Sequence, residues 1–162
     1  MVRFIELIRN SLTEVKEIMP WDLADRLNEN PELIILDVRE PYEFDVLHIR
    51  GSINVPRGIL ESACEWDYEE TVPELVKARN REIVVVCRSG HRSLLAVHSL
   101  QVLGYEHAVS LRTGLRGWND YEEPLVNIAS EKVDPDFADD FFLTKLRPDQ
   151  RKPGREKKGR EH

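Results

Sequence analysis

Short apolar runs alternate along this chain with longer segments of helical periodicity. Leu33–Leu36, Ile83–Val86 and Ala108–Leu111 are apolar at nearly every position, the pattern of strands buried on both faces. Two shorter strands are predicted at Glu17–Ile18 and Ile53–Val55. Pro20 opens a helix with Trp21, Leu23, Ala24 and Leu27 on its apolar side. After Ile83–Val86, the residues Leu94, Leu95, Val97, Leu100, Val102 and Leu103 recur at helical spacing, and a further helix follows Thr113. Residues 58–79 are mixed and predict one or two helices with a break before Pro73. Residues 1–14 read as an amphipathic helix with Phe4, Ile8, Leu12 and Val15 on one stripe. It is expected to dock on the domain, with a dimer contact as the alternative. Strands alternating with helices predict an α/β fold: a mainly parallel central sheet with helices on both faces.

Beyond Val126 the pattern fades. Asp134–Phe142 predicts a short helix that packs its aromatics on the domain. From Lys145 onward Lys, Arg, Gly and Pro dominate and nothing apolar follows Leu146, so the end is expected to be disordered. The organisation read here is an N-terminal helix over 1–14, a domain over 15–127 and an extension over 128–162.

Composition narrows the function classes. A hydrophobic content of 41% supports an ordinary core, and no apolar run approaches a membrane span. The start, Met1 to Leu7, carries Glu6 inside a short apolar stretch and makes a poor signal peptide. Two cysteines without a disulfide pattern suit a reducing cytoplasm. A net charge of −7 argues against a nucleic-acid partner. Any attraction for anions must therefore be local.

The local candidate is Cys87-Arg88-Ser89-Gly90-His91-Arg92-Ser93, between a buried strand and a helix. Ligands of parallel sheets bind at the carboxyl ends of strands, which is where Cys87 falls. A short loop there turns backbone N–H groups towards the sulfur, and the following helix adds the positive end of its dipole. With the charges of Arg88 and Arg92, these effects favour thiolate over thiol and draw anions to the sulfur. A structural cysteine has no use for two arginines, a glycine and two serines in the next six residues. Cys64 lies in a plain apolar setting and reads as a small buried hydrophobe. The spacing Cys-x4-Arg is one residue shorter than the phosphate cradle of cysteine phosphatases. A smaller ring of N–H groups suits one extra sulfur atom, a persulfide.

With this loop the chain resembles the rhodanese (thiosulfate sulfurtransferase) family, in particular its single-domain members. The resemblance runs from Val15 to Val126. It includes Asp37-Val38-Arg39-Glu40-Pro41-Tyr42-Glu43-Phe44, His48-Ile49-Arg50-Gly51-Ser52-Ile53-Asn54-Val55-Pro56, Leu103-Gly104-Tyr105 and Thr113-Gly114-Leu115-Arg116-Gly117-Trp118. Thr113 departs from the pattern, standing where many members carry the first glycine of a pair. The resemblance implies a rhodanese-like domain in which Cys87 is the nucleophile. Arg88 and Arg92 would hold a small anionic sulfur donor such as thiosulfate, and the loop amides of residues 88–93 (with Ser89, Gly90, His91 and Ser93) would stabilise the sulfur. Sulfur would move through a Cys87 persulfide to a thiophilic acceptor such as cyanide, a thiol or a protein cysteine, with no metal and no organic cofactor. A persulfide carrier or sensor without turnover is the alternative, and a cysteine phosphatase or arsenate reductase of related fold a more distant one.

The remaining polar residues read as structural. Asp37 and Arg39 suit an ion pair at a strand end, and His48 has no second histidine at metal-ligand spacing. Arg57 is a candidate for the mouth of the site, and Ser93 brings a hydroxyl within reach of Cys87 if the loop curls back.

Overall fold

A computed structural model describes residues 1–154. Residues 155–162, part of the end expected to be disordered, lie outside the described residues. The elements in chain order are α1 (Phe4–Ser11), β1 (Glu17–Ile18), α2 (Pro20–Glu29), β2 (Ile34–Asp37), α3 (Pro41–Val46), β3 (Ile53–Asn54), α4 (Leu60–Ala63), α5 (Pro73–Val76), β4 (Ile83–Val86), α6 (His91–Val102), β5 (Ala108–Leu111), α7 (Gly114–Asp120) and α8 (Pro135–Phe142). Short 3-10 turns cover Arg57–Ile59 and Pro148–Gln150. The sheet is wholly parallel with strand order β1-β5-β4-β2-β3.

The apolar runs become strands because they are sandwiched. On β4, Ile83 and Val85 face one core with Leu60, Leu75, Leu94 and Val97 from α4, α5 and α6. Val84 and Val86 face a second core with Leu23, Leu115, Trp118 and Phe142 from α2, α7 and α8. Every residue of β2, β4 and β5 is buried, and helices cover both faces as the pattern predicts. Central position and burial make β4 a rigid base for the loop that follows it.

The terminal segments differ in detail from the expectation. The N-terminal helix spans Phe4–Ser11 rather than 1–14. Of its stripe, Ile8 and Val15 are buried, whereas Phe4 and Leu12 are 56% and 44% exposed. The helix ends before the chain turns into β1, so the stripe covers only the part of α6 that α1 reaches. In α8, Asp134 caps the helix by accepting hydrogen bonds from the amides of Asp136 and Phe137. Phe142 is buried and Phe141 packs beside it, while Phe137 faces solvent. Residues 143–154 are exposed.

Two constraints aim the loop after β4. The first is a fully buried ion pair at the end of β2. Arg39 Nη2 donates to Asp37 Oδ2 at 2.8 Å and Arg39 Nε to Oδ1 at 3.0 Å. The guanidinium also donates to the carbonyls of Leu47 (2.7 Å) and Glu43 (3.4 Å), and Asn54 Nδ2 donates to the carbonyls of Asp37 and Arg39. β2, α3 and β3 are thereby tied to one charged knot. The second constraint is the close approach of α7. The amides of Leu115 and Arg116 donate to the carbonyls of Cys87 (2.9 Å) and Arg88 (3.0 Å). Gly114 makes this contact possible: its φ is +61°, and a Cβ there would lie 2.5 Å from both carbonyl oxygens. Its neighbour Thr113, the departure noted in the sequence, holds φ +70° and carries its hydroxyl on the Arg112 carbonyl. The turn is kept at the cost of a β-branched residue in the left-handed region.

Removing the Asp37 carboxylate leaves Arg39 charged and buried. Asp37→Ala is expected to lower the unfolding free energy by about 3–5 kcal/mol, measured by denaturant unfolding; a loss below about 1 kcal/mol would contradict the buried-pair account. Gly114→Ala combines left-handed strain of about 1–2 kcal/mol with the carbonyl clash. The variant should unfold at a clearly lower denaturant midpoint, and an unchanged midpoint would mean that α7 does not press on the loop.

Candidate active site

Cys87 ends the β4 run, and its side chain faces the core beneath α6, 1% exposed. The loop turns at Gly90, whose φ of +100° a side chain would oppose. Gly90 is also the N-cap of α6 and has no side chain with which to cap it. The cysteine sulfur takes that role. It accepts hydrogen bonds from the amides of Gly90 at 3.1 Å and Ser93 at 3.3 Å. Because α7 holds the carbonyls of Cys87 and Arg88 on the outside, the loop's N–H groups are left for the inside. Among the described residues, the amides of Arg88, Ser89, His91 and Arg92 donate to no protein acceptor. The sulfur therefore lies at the positive end of a twelve-residue helix, beside a partly unused ring of donors.

The hydroxyl predicted near the sulfur is there. The Cys87 thiol lies 3.3 Å from Ser93 Oγ as donor, and Ser93 Oγ shares a hydrogen bond of 2.8 Å with Ser110 Oγ on β5. Both serines are fully buried. Ser110 was not singled out from the sequence, although one hydroxyl in an apolar strand must find a partner when buried.

The two arginines are placed differently from each other. Arg92 is held by Glu43 in a two-pronged bond, Nη1 to Oε2 at 2.7 Å and Nη2 to Oε1 at 2.9 Å. Glu43 also accepts from the Glu40 amide at 2.9 Å. Burial alone would raise the Glu43 carboxyl. The bonds from Arg92 and the Glu40 amide outweigh it, and the group lies below its ordinary value. Arg92 is raised correspondingly, chiefly by its bond to Glu43. Arg88 reaches outward, donating from Nη2 to Thr144 Oγ1 at 2.8 Å. Its Nε is buried without a hydrogen-bond partner. Glu43 lies inside the first sequence box, but its pairing with Arg92 spans 49 positions and has no local signal. Thr144 had none either.

Above the sulfur is an open pocket lined by Cys87, Arg88, Ser89, His91, Arg92 and Phe4. The loop candidates thus come together as the sequence predicts, with α1 adding one residue. Arg57 does not join them: its guanidinium goes to Glu61 Oε1 and Ser99 Oγ. His48 is structural, stacked on Phe44 at 3.8 Å with Nδ1 on the Phe44 carbonyl. Cys64 is fully buried and unpaired with Cys87, in an apolar setting beside Tyr105, and burial pushes its thiol up. The Arg79 guanidinium donates to the Cys64 carbonyl at 3.0 Å, but among the described residues no backbone amide is bonded to the Cys64 sulfur as Gly90 and Ser93 are to that of Cys87.

An amide-ringed cysteine at a helix N-terminus can form and stabilise an anionic sulfur adduct. Comparison with known proteins gives this geometry a family. The chain is 31% identical over 107 residues to the probable adenylyltransferase/sulfurtransferase MoeZ of Mycobacterium tuberculosis, which covers 66% of this chain and 25% of MoeZ. It is 29% identical over 111 residues to the putative sulfur carrier protein YrkF of Bacillus subtilis, covering 68% of this chain and 55% of YrkF. The chain thus spans a quarter of the first relative and about half of the second. A rhodanese-related protein from Thermoplasma volcanium superposes with a TM-score of 0.56 at 29% identity, over 68% of this chain and 97% of that one. The sequence profile of the rhodanese-like domain matches residues 19–121, from the end of β1 to the end of α7, and the chain belongs to the rhodanese-like domain family.

Proposed function

We propose that this protein is a sulfurtransferase that carries sulfane sulfur on Cys87, with thiosulfate or a persulfide as donor. The observation that supports this most is the pair of amide bonds from Gly90 and Ser93 to a buried sulfur that faces the pocket. In the first half-step the Cys87 thiolate attacks the outer sulfur of thiosulfate. A new S–S bond forms, the donor's S–S bond breaks, and sulfite leaves with its electron pair. The persulfide's outer sulfur then occupies the space beside the unused amides of Arg88, Ser89, His91 and Arg92. Their N–H dipoles are already oriented, so no reorganisation is needed as charge moves from one sulfur to the next. Arg88, with an unpartnered Nε, and Arg92 flank the donor's oxygens. In the second half-step a nucleophile such as cyanide, a thiol or a protein cysteine removes the outer sulfur and restores Cys87. This is covalent catalysis in two stages. Among the described residues no helix is long and apolar enough to cross a membrane, and a cytoplasmic setting suits the reduced cysteines.

The name of YrkF, a putative sulfur carrier, supports a second reading in which Cys87 is loaded and passes its sulfur to one partner protein. The two readings share the loop and differ in turnover with free cyanide.

Thiosulfate should raise the mass of the protein by one sulfur atom, about 32 Da, with the added sulfur mapping to Cys87. Cyanide should remove it with multiple turnovers; loading followed by negligible turnover would favour the carrier. Loading should vanish in Cys87→Ser and persist in Cys64→Ser, and equal loss in both would give Cys64 a part in the chemistry.

The Glu43–Arg92 clamp adds a pH signature. The folded-state carboxyl is depressed, so its contribution is present above the unfolded glutamate value and is lost as pH falls through the lower folded value. The melting-temperature difference between wild type and Glu43→Gln should be steady from neutral to weakly acidic pH. It should shrink towards zero below the ordinary glutamate range, and a difference that grows in acid would refute the clamp.

A further inference from the structure

Among the described residues, Phe4 is the single lining residue of the Cys87 pocket that the loop itself does not supply. It also lies outside the stretch that matches the family. Its position is held from three sides. Ile8, one turn along α1, is buried against the core under α6. Glu14 lies 3.0 Å from His98 on α6. The Phe4 ring meets the His91 ring edge to face, with centroids 5.6 Å apart and planes at 78°. Ile5 and Leu7 of the same helix are about as exposed as Phe4, yet neither lines the pocket. A phenyl ring 56% exposed at the lip of a polar pocket leaves apolar surface for a ligand to cover.

Thiosulfate cannot use that surface. It is small and doubly charged, and the groups suited to such an anion are amides and guanidinium groups, not a phenyl face. A donor with an anionic sulfur on a flat apolar body uses both halves of the pocket, the sulfur on the amide ring and the body on Phe4.

We propose that Phe4, backed by His91, is a specificity-determining residue that favours organic sulfane-sulfur donors over inorganic thiosulfate. The proposal deepens the sulfur-transfer reading and rests on it. With an aryl thiosulfonate, the Cys87 thiolate attacks the terminal sulfur and forms the Cys87 S–S bond. The bond between that sulfur and the sulfonyl sulfur breaks, and its electron pair leaves with the aryl sulfinate. The persulfide keeps the other negative charge, so two anions give two anions. The sulfonyl sulfur is reduced to sulfinate as the cysteine is oxidised to persulfide, and no further reactant is needed.

The test is the rate of Cys87 persulfide formation, followed by mass, with benzenethiosulfonate and with thiosulfate on the full chain. Covering a phenyl face and gaining an aromatic partner corresponds to about tenfold in kcat/KM. The benzenethiosulfonate-to-thiosulfate ratio of kcat/KM should fall about that much in Phe4→Ala and be retained in Phe4→Trp. Leu7→Ala should leave it unchanged, since Leu7 is exposed on the same helix away from the pocket. An unchanged ratio in Phe4→Ala, or an equal fall in Leu7→Ala, overturns the assignment while sulfur transfer stands. Loading by thiosulfate alone does the same. Loading of Cys87 by neither donor overturns the sulfur-transfer reading and the Phe4 assignment with it.

Discussion

A charge pair removed from water, Asp37 with Arg39, sets the frame in which the Cys87 loop is held. Neither group can be buried alone, and each bond they make to a backbone carbonyl or amide fixes a piece of chain. Through the carbonyl of Glu43 the pair touches α3, and through the carboxylate of Glu43 α3 reaches Arg92 at the start of α6. A continuous polar line thus runs from the buried end of β2 to the far end of the Cys87 loop. On the opposite side, α7 fixes the near end by donating to the carbonyls of Cys87 and Arg88. The loop is pinned at both ends by groups it does not contain, which keeps its inner amides pointing at the sulfur.

The field at the sulfur is correspondingly local. The chain carries a net charge of −7, so long-range attraction does not bring anions to the site. Arg92 meets the charge of Glu43 before any substrate arrives. What remains at the sulfur is the helix terminus and the amides of Gly90 and Ser93. Dipoles of this kind are fixed by the fold and keep most of their strength in a buried site, where water does not screen them. The hydroxyl pair Ser93–Ser110 completes the shell with groups able to donate or accept as the sulfur changes charge.

Both ends of the chain bear on the loop. α1 brings Phe4 to the pocket, and the segment after α8 brings Thr144 to Arg88. These segments lie outside the matched domain of residues 19–121. The amide ring lies within the stretch matched to the family, while the rim is built partly from residues outside it.

The strands and most helices were legible in the sequence because burial on two faces leaves unbroken apolar runs, as at Ile83–Val86, and prolines mark helix starts, as at Pro20 and Pro73. Cys87 and its loop were legible for the same reason: a strand end, a glycine and a helix start are all local features. The sequence alone also separated Cys87 from Cys64, since the two differ in their immediate neighbours. Only the tertiary structure decided that Arg92 is paired with Glu43, that Ser110 supports Ser93, that α7 holds the loop carbonyls and that Phe4 reaches the pocket. Each of these contacts joins residues from separate elements, and nothing in local periodicity or composition encodes which elements meet. The direction of each arginine depends on the acceptor it finds across the fold, so residue type predicted a cationic rim and packing determined where its charges point.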